Sequence, residues 1–145
     1  KIKNEKSDQI SFIGPYADSI NQSSNSINKI LNLMREYKLI KGYYNIKVYK
    51  TIPVFAGFGG GTSNAATLLK NLAEKKISKK IFKKIADIIG TDFRLFFETQ
   101  GYQKNLRSIM NLSKKYRLFF LLVFPNFKSS TKIVYSKVKK YSKSI

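Results

Sequence analysis

Neither cysteine nor histidine occurs anywhere in the 145 residues, which excludes disulfide frameworks, thiolate nucleophiles, imidazole bases and zinc sites of the Cys/His kinds. Acidic side chains are scarce as well: eight Asp and Glu stand against 28 Lys and Arg, a net charge of +20. Acid–base chemistry therefore falls to one of those carboxylates, or to lysine or tyrosine. Long hydrophobic runs are missing. The longest, Leu118 to Phe124, has seven residues, against the roughly 20 that a membrane-spanning helix needs. No apolar signal segment opens the chain, so the expectation is a cytoplasmic enzyme or binding protein with no membrane partner. At 43% hydrophobic residues the chain can build one moderate core, or one domain and the beginning of another.

The charge invites a nucleic-acid reading, because clustered Lys and Arg release counterions from a phosphate backbone. Its distribution argues otherwise. Lysines recur in short pairs, Lys79-Lys80, Lys83-Lys84, Lys114-Lys115 and Lys139-Lys140, without one dominant block. They read as solvated faces, and the tyrosines and phenylalanines, set mainly in apolar runs, as core. A basic module that stacks bases on its aromatics is the alternative from another functional class.

Glycine, sparse elsewhere, is concentrated in one place. In Ile52-Pro53-Val54-Phe55-Ala56-Gly57-Phe58-Gly59-Gly60-Gly61-Thr62-Ser63-Asn64-Ala65-Ala66, four of five successive positions are glycine. Such a run lets backbone N–H groups approach a polyanion, and the helix that follows aims its unpaired N–H groups at the same point. It reads as a phosphate cradle; the plainer reading is a glycine-rich turn joining a strand to a packed helix. The lysine of a Walker loop is absent between Gly57 and Ala66, which excludes an ordinary P-loop. A dinucleotide fingerprint needs glycine where Thr62 stands and an acidic residue about twenty positions on, which is also absent.

Periodicity places the loop among regular elements. Asn25 can cap a helix from Ser26 to about Lys38 with Ile27, Ile30, Leu31 and Met34 on one face, ended by Lys41-Gly42. Ile46 to Lys50 alternates as a strand that leads to Pro53, and Lys50 by itself reads as a solvated strand residue. Ser63 or Asn64 caps the next helix. Ser78 opens a third, which Gly90 closes, and Thr91-Asp92 follow directly. Phe93 to Phe97 is a short strand or buried turn, Gln100 to Asn111 carries no clear pattern, and Leu118 to Phe124 reads as a fully buried strand. Pro125-Asn126 turns the chain, and Ser130 or Thr131 caps a last helix from Lys132 toward Lys140. The order of elements is that of an α+β protein.

Lys50-x-x-Pro53 followed by Ala56 to Ala66 resembles the second motif of the GHMP kinases, and its triple glycine resembles the form found in the 4-diphosphocytidyl-2-C-methyl-D-erythritol kinases of that superfamily. Ser24-Asn25-Ser26-Ile27 is similar to the family's Asp-Asn-Leu, Ile89-Gly90-Thr91-Asp92 to its Gly-Ser/Ala-Asp, and Phe124-Pro125-Asn126 with Ser130-Thr131-Lys132 to its later segments. The resemblance implies a ribosomal protein S5 domain 2-like N-terminal domain, incomplete, over residues 1–116, and the start of a ferredoxin-like C-terminal domain over 117–145. It implies ATP and Mg²⁺ as cofactors and phosphorylation of the 2-hydroxyl of a cytidine diphosphate-linked methylerythritol, a step of non-mevalonate isoprenoid synthesis. Carried over by position, Asp92 is the catalytic aspartate. Pro53, Ala56, Gly57, Phe58, Gly59, Gly60, Gly61, Thr62 and Ser63 belong to the ATP site, with Asn25 and Lys50 toward the adenosine. Thr131 and Tyr135 face the substrate, Tyr135 as a ring against its cytosine, with core packing as that tyrosine's other reading.

Three departures accompany the resemblance. Arg94 stands where the family has a buried proline beside its aspartate, the Gly-x-Gly-Glu segment is missing between Gly101 and Met110, and the family's Lys-x-Asn-Leu strand and Gly-Tyr-His region have no counterpart. The chain is expected to be part of a longer kinase, a split subunit or an inactive remnant, prone to associate through an uncovered sheet edge. Another GHMP small-molecule kinase is the nearest alternative.

Overall fold

The computed structural model describes residues 1–123 and 131–139. The first residues pair as strands β1 (Ile2–Glu5) and β2 (Gln9–Ile13) on either side of β3 (Tyr43–Tyr49), in the order β1-β3-β2. β1 runs antiparallel to β3, with Ile2 opposite Ile46; β2 runs parallel to it, with Ile10 opposite Ile46 and Ile13 opposite Tyr49. A parallel pair needs a crossover, and helix α1 (Ser26–Glu36) supplies it between β2 and β3.

Alternation along β3 decides which sheet face is covered. Tyr44 and Ile46 point into the core while Tyr43, Lys47 and Tyr49 face out. Into the same core pack α1, through Ile27, Ile30, Leu31 and Met34, with α2 (Gly60–Leu72), through Ala65, Ala66, Leu68 and Leu69, and α3 (Lys79–Ile89), through Ile85 and Ala86, both set against α1. Of the aromatics, Tyr44 and Phe93 are the buried ones among the described residues. The expectation of an aromatic core holds in part: Phe12, Tyr37, Phe82, Phe96 and Phe97 pack partly buried against it, whereas Tyr43 and Tyr49 occupy the open sheet face, and Phe55 and Phe58 the glycine loop.

The helix starts and stops have local causes. Asn25 caps α1, its Oδ1 accepting from the N–H groups of Ile27 (3.0 Å) and Asn28 (3.1 Å), and Ser78 caps α3 through Ile81 N–H. α1 stops at Glu36, earlier than Lys41-Gly42, because Lys38 turns left-handed (φ 54) and Leu39 N–H closes on Met34 O at 2.7 Å. Gly90 ends α3 as expected. Phe93–Phe97 is a 3₁₀ turn with Phe93 fully buried, and the unpatterned stretch after it is a hairpin of β4 (Gly101–Asn105) and β5 (Ser108–Asn111).

The apolar run Leu118–Val123 overturns its assignment as a buried strand. It has no regular structure and is exposed, Phe119 by 91%, because no described element packs over it. Composition alone cannot supply the facing layer that burial needs. Helix α4 spans Thr131–Ser136, shorter than expected. The turn at Pro125-Asn126, the cap at Ser130 and the motif from Phe124 lie outside the described residues, as does the chain end from Lys140.

Candidate active site

α2 begins four or five residues earlier than a cap at Ser63 or Asn64 requires. Gly59 is its N-cap, left-handed at φ 62, and the first helical hydrogen bond runs from Ser63 N–H to Gly59 O at 2.8 Å. Helix geometry then leaves the N–H groups of Gly60, Gly61 and Thr62 without partners inside the helix. The last glycines are therefore the first turn of α2 and carry the positive end of its dipole. Pro53, Val54, Phe55, Ala56, Gly57 and Phe58 form the loop before it, in which Gly57 (φ 77) and even Phe55 (φ 63) are left-handed.

This loop walls a cavity of about 850 Å³ that also takes in Asn25, Lys50, Asn64, Thr91, Asp92 and Tyr135. Of the residues singled out by sequence, Asn25, Lys50, Pro53, Ala56, Gly57, Phe58, Gly59, Gly60, Gly61, Asp92 and Tyr135 thus line one cavity. Thr62 and Ser63 stand next to it in the first turn of α2. Thr131 is the first residue of α4, whose Tyr135 is 65% exposed and lines the cavity, so the core-packing reading of Tyr135 does not hold.

Asp92 comes to the loop from the opposite side. Gly90 ends α3, Phe93 N–H returns to Gly90 O at 3.1 Å and Leu95 N–H to Asp92 O at 3.0 Å, so the aspartate rides on a closed turn anchored by buried Phe93. A Cβ on Gly59 would lie 2.9 Å from Asp92 Oδ2 and 2.9 Å from Phe96 Cζ, and one on Gly90 would lie 3.3 Å from Asp92 Oδ1. The carboxylate sits where only glycine lets the two turns meet. Gln103 Nε2 donates to Thr91 O at 3.0 Å and ties the hairpin to the same turn.

Lys50 departs from its reading as a solvated strand residue. It is 6% exposed, and its Nζ would lie 2.9 Å from a Cβ on Gly60, so it points at the first turn of α2. Burial holds its ammonium below the usual lysine range. Gly14 makes this placement possible: at φ 103, a Cβ there would fall 2.9 Å from Lys50 O, while Lys50 N–H donates to Ile13 O at 2.6 Å. Sequence reasoning missed Gly14, whose signal was a glycine directly after a strand. It also missed Ser26, whose Oγ would lie 3.3 Å from a Cβ on Gly61.

Asn25 is more committed to the fold than a ligand-binding assignment alone suggests. Besides capping α1 with its Oδ1, its Nδ2 donates to Asn21 O (3.0 Å) and Gln22 O (3.1 Å), so it shapes the cavity edge by holding the preceding turn. Arg94 is also fully engaged, donating to Asp87 Oδ1 at 2.6 Å. Among the described residues no group of three or more acidic side chains is placed to hold a metal ion, and no helix is long and apolar enough to cross a membrane.

The chemistry of this arrangement is that of an anion cradle with a carboxylate at its rim and a buried cation at its floor. Residues 25–94 match the family of the GHMP kinases N terminal domain. The 4-diphosphocytidyl-2-C-methyl-D-erythritol kinase of Pelagibacter ubique (strain HTCC1062) is 38% identical over 150 aligned positions, covering 97% of this chain and 51% of that protein. The kinases of the same name from Sulfurihydrogenibium sp. (strain YO3AOP1) and Ureaplasma urealyticum serovar 10 are 35% and 32% identical, covering 83% and 79% of this chain and 46% and 44% of those proteins. The chain spans about half the length of the curated relatives it matches. Residues 25–94, which hold the glycine loop, Lys50 and Asp92, are a GHMP kinase N-terminal domain, in a chain related to the 4-diphosphocytidyl-2-C-methyl-D-erythritol kinases.

Proposed function

We propose that this chain supplies the ATP-binding half of a kinase that phosphorylates the 2-hydroxyl of 4-diphosphocytidyl-2-C-methyl-D-erythritol, in a cytoplasmic setting. The observation that carries the proposal is the contact of the two turns: the N-terminus of α2 and the Asp92 carboxylate face one cavity across Gly59. Phosphoryl transfer asks the protein for little covalent chemistry. It asks for a held polyphosphate, a positioned hydroxyl and a group to take the proton.

In this reading the N–H groups of Gly60, Gly61 and Thr62, with the Ser63 hydroxyl, hold the ATP phosphates, and Pro53, Ala56, Gly57 and Phe58 shape the loop around them. Asn25 and Lys50 border the adenosine side, with the Lys50 ammonium directed from there at the first turn of α2 and so at the phosphates. Asp92 orients the acceptor hydroxyl and takes its proton as it attacks the γ-phosphorus and the β–γ bridging oxygen leaves. Tyr135 and Thr131 meet the cytidine end of the substrate, the start of a second domain at residues 117–145. Mg²⁺ would come as a companion of the nucleotide, held chiefly by its phosphates and by water, and would neutralise charge on the phosphates while Asp92 stays free to act as the base. The outer edges of β1 and β2 are where a further strand or subunit would join.

The test is phosphoryl transfer from ATP to the cytidine diphosphate-linked methylerythritol by the full-length protein and its Asp92→Asn variant. Transfer that disappears in the variant while ATP binding persists supports the assignment; equal rates exclude Asp92 as the base. Transfer only to other small alcohols would keep the kinase and discard this substrate.

A further inference from the structure

Arg94 is one of the two charged residues buried among the described residues, at 8% exposure, and the proposed reaction gives it no part. Its Nη2 donates to Asp87 Oδ1 at 2.6 Å and to Lys83 O at 3.4 Å, both on α3, and its Nη1 to Leu106 O at 3.4 Å, in the β4–β5 turn. A guanidinium can do this where an ammonium cannot, because its donors are fixed in one planar fork. The hydrogen bond from Arg94 holds the Asp87 carboxyl below the usual carboxylate range, with the guanidinium charge acting in the same direction.

The clamp spans the site's own corner. From Asp87 the chain leaves α3, passes Gly90 and Thr91, presents Asp92 and returns at Arg94. Phe93 anchors this corner in the core, and the Phe96 carbonyl, which accepts from Lys70 Nζ, joins it to α2. Phe93 and Phe96 fix the turn toward α2 and the glycine loop. Arg94 adds side-chain hydrogen bonds to α3 and to the β4–β5 turn, beside the tie that Gln103 of β4 makes to Thr91 O and the ring contact of Phe82 on α3 with Phe93. Without the clamp, the remaining restraints still bury Phe93 and hold Thr91 O, but the segment that follows Asp92 loses its side-chain hydrogen bonds to α3 and to the β4–β5 turn.

We propose that Arg94, paired with Asp87, is a positioning residue: it sets the Asp92 carboxylate at its distance from the glycine loop, and so sets the rate of transfer without contributing to nucleotide affinity. The proposal rests on the kinase reading for its kinetic consequence but not for its structural one. The experiment uses the full-length protein with Arg94→Lys and Asp87→Asn, the second changing only an exposed partner. A misplacement of about 1 Å at a reacting group costs on the order of a hundredfold, so kcat is expected to fall about tenfold to a hundredfold in both variants. KM for ATP is expected to stay within about twofold of the parent, since the cradle on α2 is untouched. The Asp92 carboxyl carbon resonance is expected to move, and the Phe93 and Leu95 amides to exchange faster, with Ile30 and Leu31 in α1 unchanged.

A purely structural role would lower the melting temperature and speed exchange throughout while leaving kcat of the folded fraction intact, which overturns the proposal. So does an unchanged Asp92 resonance in both variants. If the parent protein transfers no phosphate, the kinase reading fails, and positioning is decided by the Asp92 resonance and the turn amides alone.

Discussion

Gly59 and Asp92 meet through an absence: a Cβ on Gly59 would lie 2.9 Å from Asp92 Oδ2, closer than a side-chain carbon can stand, so the glycine loop approaches the carboxylate with a hydrogen in that place. Two turns from different parts of the chain meet there, one opening α2 and one following α3.

Gly59→Ala is expected to damage the site more than Gly57→Ala. Both positions are left-handed, at φ 62 and 77, so each alanine carries a backbone cost of about 1–2 kcal/mol. At Gly57 a Cβ meets nothing within 4 Å, whereas at Gly59 it meets both Asp92 and Phe96. Denaturant unfolding and ATP titration of the two variants check this. Equal losses would mean that the backbone conformation alone matters.

Lys50 gives the protein an alkaline signature. Its folded-state pKa is lowered by burial from the ordinary 10.5, so between the two values the unfolded chain holds the proton more firmly than the folded one. Stability therefore rises with pH through that window and levels off above 10.5. Lys50→Met is expected to flatten this rise in unfolding midpoints measured up to the same pH. A bound polyphosphate favours the ammonium, so ATP binding in the window is expected to take up protons, visible in calorimetry as a buffer-dependent heat that Lys50→Met lacks.

Asn25→Ala and Ser78→Ala separate folding from binding. Each removes a helix N-cap, worth about 1 kcal/mol, from α1 and α3 respectively. Asn25 also lines the cavity and holds the turn before α1, so its loss is expected to weaken ATP binding as well as stability. Ser78→Ala is expected to lower stability alone. Matching affinities in the two variants would remove Asn25 from the nucleotide site.

The run Leu118–Val123 is expected to govern association. Contiguous exposed apolar surface drives proteins together, and Phe119 and Leu121 are 91% and 90% exposed. Phe119→Lys with Leu121→Lys is expected to reduce oligomers of the chain in light scattering while leaving its melting temperature unchanged. A lower melting temperature would show that these side chains are packed.

What the sequence made legible was mostly local. Asn25, Ser78 and Gly90 mark helix ends because capping is decided within four residues, and the heptad-like spacing of Ile27, Ile30, Leu31 and Met34 reports the buried face of α1 directly. The cavity residues from Gly57 to Asp92 were reachable through the loop's composition and its resemblance to a known motif. What could not be read depends on partners far along the chain. β1 is short and largely polar, β2 is short though apolar, and both become strands because β3 lies between them. Lys50 is buried because Gly14 admits its backbone. Leu118 to Val123 looked buried because composition reports preference for a core, not the presence of one.

The crossing of Gly14 and Lys50 links folding to ligand. Lys50 follows the last rung of the parallel β2–β3 ladder, a pairing that forms only after the loop containing α1 has closed. The cation at the cavity floor is thus delivered by one of the least local pairings of the fold, the kind whose loop-closure entropy must be met before its contacts form. A ligand that engages it binds only chains in which that pairing is complete. Nucleotide would then act as a folding aid, shifting the population toward the closed sheet by mass action, and a defect at position 14 could be offset by raising its concentration.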